Sequence, residues 1–335
     1  MDYIEILAEL ENGLTGNYER DTGYLEAKAL EYREHEYSRE ILRGIGRMLY
    51  KLLPEEAQEE MGDVLAVDNI GLEDLYQQAL RLAREGSFLQ AEEIMAGLLN
   101  KINGTFESDE ASVYMSFDDA FQGSLYADIY EEKREIRAIP RNHATYQFFH
   151  GQLLIELGSP DAAIKPLMKA VELNPVNCLY LLELGDAFRR TDDLDYFRAV
   201  ALRALDCALD NSLLARCYRD LGYYYSENRE FDSAPALYWL SICFKDSEMA
   251  RTELSYIGEQ TGTEPAEPSD EAIEQICSKL GIRIGPNPQV IDTSITLGKL
   301  ALQMGKTDLG RYCYQVAYGL TGDESILEIL HSLSE

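Results

Sequence analysis

Six arginines crowd a short stretch of an otherwise acidic chain: Arg189, Arg190, Arg198, Arg203, Arg216 and Arg219. A guanidinium presents a planar fork of donors that grips a carboxylate with paired hydrogen bonds and also stacks on an aromatic ring. Beside Tyr223, such forks suit a carboxylate, an acidic peptide or a chain terminus. The same arginines admit an internal use, because Glu183, Asp186 and Asp220 lie close enough in sequence to pair with them across adjacent helices. Other chemistry has less to stand on. The chain has no G-x-S-x-G, no G-x-x-x-x-G-K-[ST], no G-x-G-x-x-G and no H-E-x-x-H. With 60 carboxylates present, adjacency does not single out an acid/base pair. The expectation is a protein that binds and does not catalyse.

Metal and cofactor chemistry is equally unsupported. Cys178, Cys207, Cys217, Cys243, Cys277 and Cys313 include no C-x-x-C pair, and His35, His143, His150 and His331 have no ligand spacing. Reduced thiols packed in helices, no metal and no cofactor are expected.

The 60 acidic residues face only 30 basic ones, for a formal charge of -30, and each quarter of the 335-residue chain is negative. Nucleic-acid affinity rests on Lys and Arg displacing counterions from phosphates, so this balance argues against a DNA or RNA partner. Hydrophobic residues make up 46% of the chain, enough to bury a core in one or two globular domains. The opening MDYIEILAELENG has neither the basic start nor the unbroken apolar run of a signal peptide, and no later stretch approaches a membrane span. A cytoplasmic location away from membranes is the corresponding expectation.

The elements that must position the arginines are legible from Ala144 onward. In 146–158, YQFFHGQLLIELG, followed by Ala163, Leu167, Ala170 and Pro175, small and large residues fall at the offsets of a helix, a tight turn and a second helix. Gly151 lets the first helix approach its neighbour, Gly158 takes the turn conformation, Ala163 sits where the second helix presses on the first, and Asn174-Pro175 ends that second helix. The pattern returns at Leu181, Leu184-Gly185, Phe188 and Ala204, 34 residues on from Gly151 to Gly185, and again at Tyr218, Leu221-Gly222, Tyr225, Ala234 and Tyr238. Gly185 and Gly222 lie 37 residues apart, which points to about one extra turn in the second repeat's last helix or its connector.

This grammar resembles the tetratricopeptide repeat, in which an aromatic, Leu-Gly, Tyr, a small residue, an aromatic, another small residue and Pro recur. Departures are His150 in place of the Leu before Gly151, Phe197 at a small-residue position, and Asp246 where the third repeat would carry Pro. The resemblance implies an all-α, right-handed α-solenoid of helical hairpins with an N-terminal helical region.

The expected organisation is an N-terminal helical region over 1–105 that includes a weaker hairpin at 72–103, then an irregular connection with a short helix over 106–143. A repeat core follows over 144–260, with repeats starting near 144, 178 and 215. The acidic TGTEPAEPS of 261–269 is a linker, and 270–335 carries C-terminal helices with another repeat-like hairpin at 291–324. Ser269 caps the helix after the linker. Ile41, Ile45, Met48, Leu49 and Leu52 form the apolar stripe of an amphipathic helix, for which the 72–103 hairpin is the expected neighbour. Opposite that stripe, Arg39, Arg43, Arg47 and Lys51 are spaced by four, with Glu36, Glu40 and Glu55 available for internal pairing. No alternating run long enough for a sheet is visible.

In a repeat solenoid the first helix of each hairpin lines a concave surface. The residues beside the packing stripe are Phe148, Gln152 and Ile155 in the first repeat, Asp186, Arg189 and Arg190 in the second, and Arg216, Arg219 and Tyr223 in the third. The candidate groove residues are therefore Phe148, Gln152, Arg189, Arg216, Arg219 and Tyr223. The chaperone-tail members of the family use Lys and Asn in such grooves, and Gln152, Asp186 and Tyr223 stand there instead, so that ligand does not carry over. The resemblance implies a scaffold or adaptor that binds a protein or peptide segment, acidic or carboxylate-bearing if the arginines read it. Two alternatives use the same architecture: a peptide-responsive regulator resembling bacterial peptide receptors, and a homo-oligomer held together through the repeats.

Overall fold

The computed structural model describes residues 3–16, 18–35, 37–52, 71–102, 108, 110–139 and 142–333. It divides into two compact units, Met1–Leu75 and Tyr76–Glu335.

In the first unit, α1 (Tyr3–Asn12), α2 (Tyr18–Glu31) and α3 (Ser38–Leu52) gather around Ile6, Leu10, Leu25, Ile41, Ile45 and Met48. The apolar stripe expected on α3 is the buried one. Its covering elements are α1 and α2, which the sequence had left unassigned in favour of the 72–103 hairpin. Asp21, buried at the start of α2, accepts from the backbone N–H groups of Thr15 (2.9 Å) and Gly16 (2.7 Å) and so fixes the turn from α1. The basic side chains Arg39, Arg43, Arg47 and Lys51 lie outside the described residues.

The second unit takes up the helix α4 (71–84), within which the division falls, and continues through α5 (Phe88–Ile102) to the repeats. The core hairpins are α7 (Asn142–Glu156) with α8 (Pro160–Leu173), α9 (Cys178–Arg190) with α10 (Leu194–Asp206), and α11 (Asn211–Glu227) with α12 (Ala234–Phe244). Each helix packs on its hairpin partner and on the next hairpin, and α5 packs on α7. A Cβ built on Gly151 would lie 2.4 Å from Leu167 Cγ, so the absence of a side chain is what lets α7 and α8 meet there. At Gly158 the backbone turns with φ +72°, a region glycine enters without strain. Ala163, Ala170, Ala204 and Ala234 are fully buried.

The three extra residues between Gly185 and Gly222 lie elsewhere than expected. The connectors after α8 and α10 have the same length, whereas α11 begins at Asn211, eleven residues before Gly222, and α9 begins at Cys178, seven before Gly185. The added turn is at the N-terminus of α11. Asp210 caps it by accepting from Ser212 N (2.7 Å) and Leu213 N (2.9 Å).

The segment before the repeats corrects the expectation of a sheet-free chain. Strands β1 (Ser112–Met115) and β2 (Glu135–Ala138) pair in parallel, with Ser112 opposite Glu135, and α6 (Ala120–Tyr130) connects them. All four residues of β1 are buried while β2 is mostly exposed, so neither strand alternates in the way a half-buried strand does. This unit is tied to the first repeat: Ser116 N donates to Leu173 O (2.8 Å) and Asn174 Nδ2 to Gln122 Oε1 (2.7 Å).

After α12 come α13 (Glu248–Thr261), the non-helical GTEPAEPS stretch of 262–269, and α14 (Asp270–Leu280), which packs on α12 and is capped by Ser269. The chain then returns along the connector side of the repeats. Tyr218 Oη donates to Arg283 O and accepts from Gly285 N, both at 2.8 Å, while Asn287 Nδ2 donates to Asp206 O (3.0 Å). The final hairpin, α15 (Pro288–Gln303) with α16 (Thr307–Thr321), packs on α6, where Thr293 Oγ1 donates to Asp128 Oδ2. Helix α17 (Glu324–Ser332) closes on α16.

Candidate peptide-binding site

Helices α9, α11 and α13 enclose a cavity of about 510 Å³. The N-terminus of α9 is held by Asn177, whose side chain accepts from Leu179 N (3.1 Å) and Tyr180 N (3.3 Å). One face of α9 then contributes Glu183, Asp186 and Arg189, and one face of α11 contributes Arg216, Arg219, Asp220 and Tyr223. Tyr238 of α12 and Met249 and Glu253 of α13 complete the wall.

Four of the six residues expected in the groove meet in this cavity. Arg189 hydrogen-bonds Asp186 through Nε (3.1 Å) and more closely through Nη2, and its guanidinium lies 5.2 Å from the centre of the Tyr223 ring. Arg190 Nε also reaches Asp186, at 2.7 Å. Across the helices, Arg216 Nη1 donates to Glu183 Oε1 at 3.0 Å. The internal pairing open to these arginines is thus realised for Arg189 and Arg216. Arg219 differs: its one hydrogen bond among the described residues is from Nη1 to Ser241 Oγ, at 3.5 Å. Arg198 points away, donating to Tyr225 Oη (3.2 Å) and Leu280 O (3.4 Å).

Phe148 and Gln152 are not brought in. Phe148 is buried in the core and stacks on Tyr180 with centroids 4.5 Å apart, and half-buried Gln152 of α7 is not among the lining residues. The apolar face of α7 is wider than a repeat stripe alone implies, because α5 covers its other side.

The carboxylates divide in the same way as the arginines. Burial works to raise the Asp186 carboxyl, but hydrogen bonds from Arg189 and Arg190 outweigh it and hold the group below the ordinary value. Asp220 has no hydrogen bond or ion pair among the described residues. Burial pushes its carboxyl up to about 7, against the pull of Arg216, Arg219 and Arg189. Glu253 is also raised by burial, and its contact is a long hydrogen bond from Tyr238 Oη at 3.4 Å. Burial lowers the Arg219 guanidinium, partly offset by Asp220.

Sequence reasoning missed Tyr238, Met249 and Glu253. For Met249 and Glu253 the signal was the Ala250, Leu254 and Ile257 spacing after the capping Ser247, which marks α13 as one more amphipathic helix.

A larger cavity of about 750 Å³ lies between α5, α7 and α8, lined by Leu99, Ile164 and Met168 among others. Part of its polar lining is matched: Lys169 Nζ lies 2.8 Å from Glu172 Oε1 and His150 Nε2 lies 2.9 Å from Glu92 Oε1. Asp161 and Lys165 also line it, and His150 Nδ1 is buried without a hydrogen-bond partner among the described residues; the smaller cavity is the one that gathers the expected groove arginines.

All six cysteines are free, and all but Cys243 are buried. Burial pushes the Cys207 thiol up to about 12, away from the reactive thiolate. Among the described residues, no group of three or more His, Cys, Asp or Glu side chains is placed to hold a metal ion, and no helix is long and apolar enough to cross a membrane.

Successive antiparallel hairpins with small residues at their crossings define an all-α solenoid, varied here by one two-stranded sheet. Residues 144–177, which cover α7, α8 and the cap of α9, match the family profile of the tetratricopeptide repeat, so the chain carries a repeat of that family there. The solved C-terminal part of a TPR repeat-containing protein from Cytophaga hutchinsonii is similar over 84% of this chain and 96% of its own, with 12% identity and a TM-score of 0.38. No curated protein matches the chain. Repeats of this family serve in general as protein-interaction scaffolds, typically without catalysis.

Proposed function

We propose that the chain binds an extended segment of a partner protein in the cavity between α9, α11 and α13, with a carboxylate of that segment on Arg219. The observation that carries this reading is Arg219 itself. In a cavity where Arg189 and Arg216 already hold carboxylates, Arg219 has only a hydroxyl at 3.5 Å. Helices packed on both sides preform the wall, so little ordering cost falls on the receptor. Half-buried Tyr223 offers a flat surface for an apolar portion of the segment. A scaffold role away from membranes and nucleic acid accords with the charge of -30.

The test is an array of immobilised peptides probed with the wild-type chain and with Met249→Trp. Met249 lines the cavity yet is 66% exposed, so a larger side chain there obstructs the cavity without disturbing the core. Peptides captured by the wild type should be lost from the variant while its circular dichroism is unchanged. Equal capture of the same peptides by both proteins would place the binding surface elsewhere.

A further inference from the structure

The small sheet that precedes the repeats has one closed edge and one open edge. Strand β2 donates to β1 from Glu135 N to Ala111 O and, just past its end, from Ile139 N to Met115 O, both at 2.9 Å. Backbone groups alternate sides along a strand, so the N–H and C=O of Ile136 and Ala138 point away from β1. The outer edge of β1 is covered: Tyr114 N donates to Ser108 Oγ (3.1 Å) and Ser116 N to Leu173 O (2.8 Å). The outer edge of β2 has no such cover among the described residues, and Ile136 and Ala138 are both exposed, Ile136 at 37%. An uncovered row of donors and acceptors is a template for a further strand.

We propose that a second copy of this chain pairs along that edge, with the two β2 strands antiparallel about a two-fold axis at Ile136, to give a four-stranded sheet in the order β1-β2-β2-β1. In that register the two Ile136 residues exchange N–H···O bonds, and Ala138 N–H of each copy meets Arg134 O of the other. The ladder stops there, because Arg134 N already donates to Glu132 Oε1 at 3.0 Å.

Charge complementarity identifies the occupant. Glu135 and Arg137 lie on the sheet face that carries Tyr114: Arg137 Nη2 is 2.7 Å from Glu135 Oε2, and its guanidinium is 5.9 Å from the centre of the Tyr114 ring. Read antiparallel against itself, Glu135-Ile136-Arg137 sets the carboxylate of each copy opposite the guanidinium of the other at both flanking positions, and sets the exposed Ile136 against an identical side chain. One self-complementary patch used by both copies is what a two-fold dimer requires. This surface lies outside the α9, α11 and α13 cavity, and the inference does not depend on what binds there.

The test is sedimentation velocity of the full chain. Each copy carries a charge of -30, which opposes association, so the salt is set at about 0.15 M, where charges more than about 8 Å apart are screened. An interface this small is weak, and the wild type should pass from monomer at about 10 μM toward twice the mass at about 500 μM. Glu135→Arg and Arg137→Glu should each weaken the dimer by about tenfold or more, since like charges then face each other at both positions. An equimolar mixture of these two variants should regain the dimer, because every facing pair is again unlike. Ile136→Pro removes only an outward donor and should leave a monomer with unchanged circular dichroism; with Glu135→Arg it decides the matter if Arg137→Glu fails to fold. The inference is overturned if the wild type stays monomeric throughout, if Ile136→Pro dimerises as the wild type does, or if the mixture of folded variants associates no better than either alone.

Discussion

The hairpin at 144–177 and the cavity between α9, α11 and α13 are made from the same kind of helix, yet they leave different things unmatched. In the hairpin, Leu167 fills the space that Gly151 vacates and Ala163 and Ala170 are fully buried, so apolar surfaces meet without remainder. In the cavity, Arg219, Asp220 and Glu253 keep capacity for partners that the chain does not supply. Packing accounts for the first region on its own terms. The second leaves hydrogen-bonding capacity at Arg219 that a ligand could use.

Breaking the packed region should have the largest effect. Leu167→Ala empties a fully buried site and should cost about 2 to 5 kcal/mol, read as a lower urea midpoint. Ala234→Leu tests the register of the third repeat from the other direction. With Ala234 fully buried at the start of α12, the larger side chain should overpack and destabilise by about 1 to 3 kcal/mol, whereas an unchanged midpoint would refute the assigned register.

The cavity should respond with the opposite sign. The folded Asp220 carboxyl sits at about 7, above the ordinary aspartate value, so the stability linked to this group is fully present below about pH 4 and is lost as the pH rises through 7. Asp220→Asn should therefore stabilise the chain by about 1 to 3 kcal/mol at pH 8, a figure reduced for solvent reaching the cavity, and by almost nothing at pH 4. Destabilisation at pH 8 would mean that Asp220 is structurally engaged. The smallest effect is expected at Arg190→Ala, whose half-exposed ion pair with Asp186 duplicates that of Arg189. A change of less than about 0.5 kcal/mol in thermal unfolding would sharpen the distinction between redundant and unmatched charges.

How much of this was legible in the sequence follows the same division. Gly151, Gly158, Ala163 and Asn174-Pro175 announced a hairpin because close packing and turn geometry restrict residue type at set offsets, and the profile match falls on that hairpin. The apolar stripe of α3 was readable for the same reason, although what covers it was not. Strands β1 and β2 escaped because neither alternates, β1 being buried on both faces and β2 mostly exposed, and their pairing joins positions separated by a helix. In the site, sequence brought Arg189, Arg216, Arg219 and Tyr223 to one face but assigned Phe148 to the groove, since helical spacing cannot say whether a flank of α7 is already covered by α5. Nor could it say which arginine had found a carboxylate. Asp220 adjoins Arg219 in sequence and Glu183 lies 33 residues before Arg216, yet the three-dimensional arrangement pairs Glu183 and not Asp220.

The central claim, that the cavity holds a carboxylate without a partner, is tested most directly by the titration of Asp220. The ¹³Cγ resonance of Asp220, assigned by its loss in Asp220→Asn, should titrate with a midpoint near 7 in the free protein. A midpoint close to the ordinary aspartate value of about 4 would contradict the account, because the carboxylate would then be paired or well solvated.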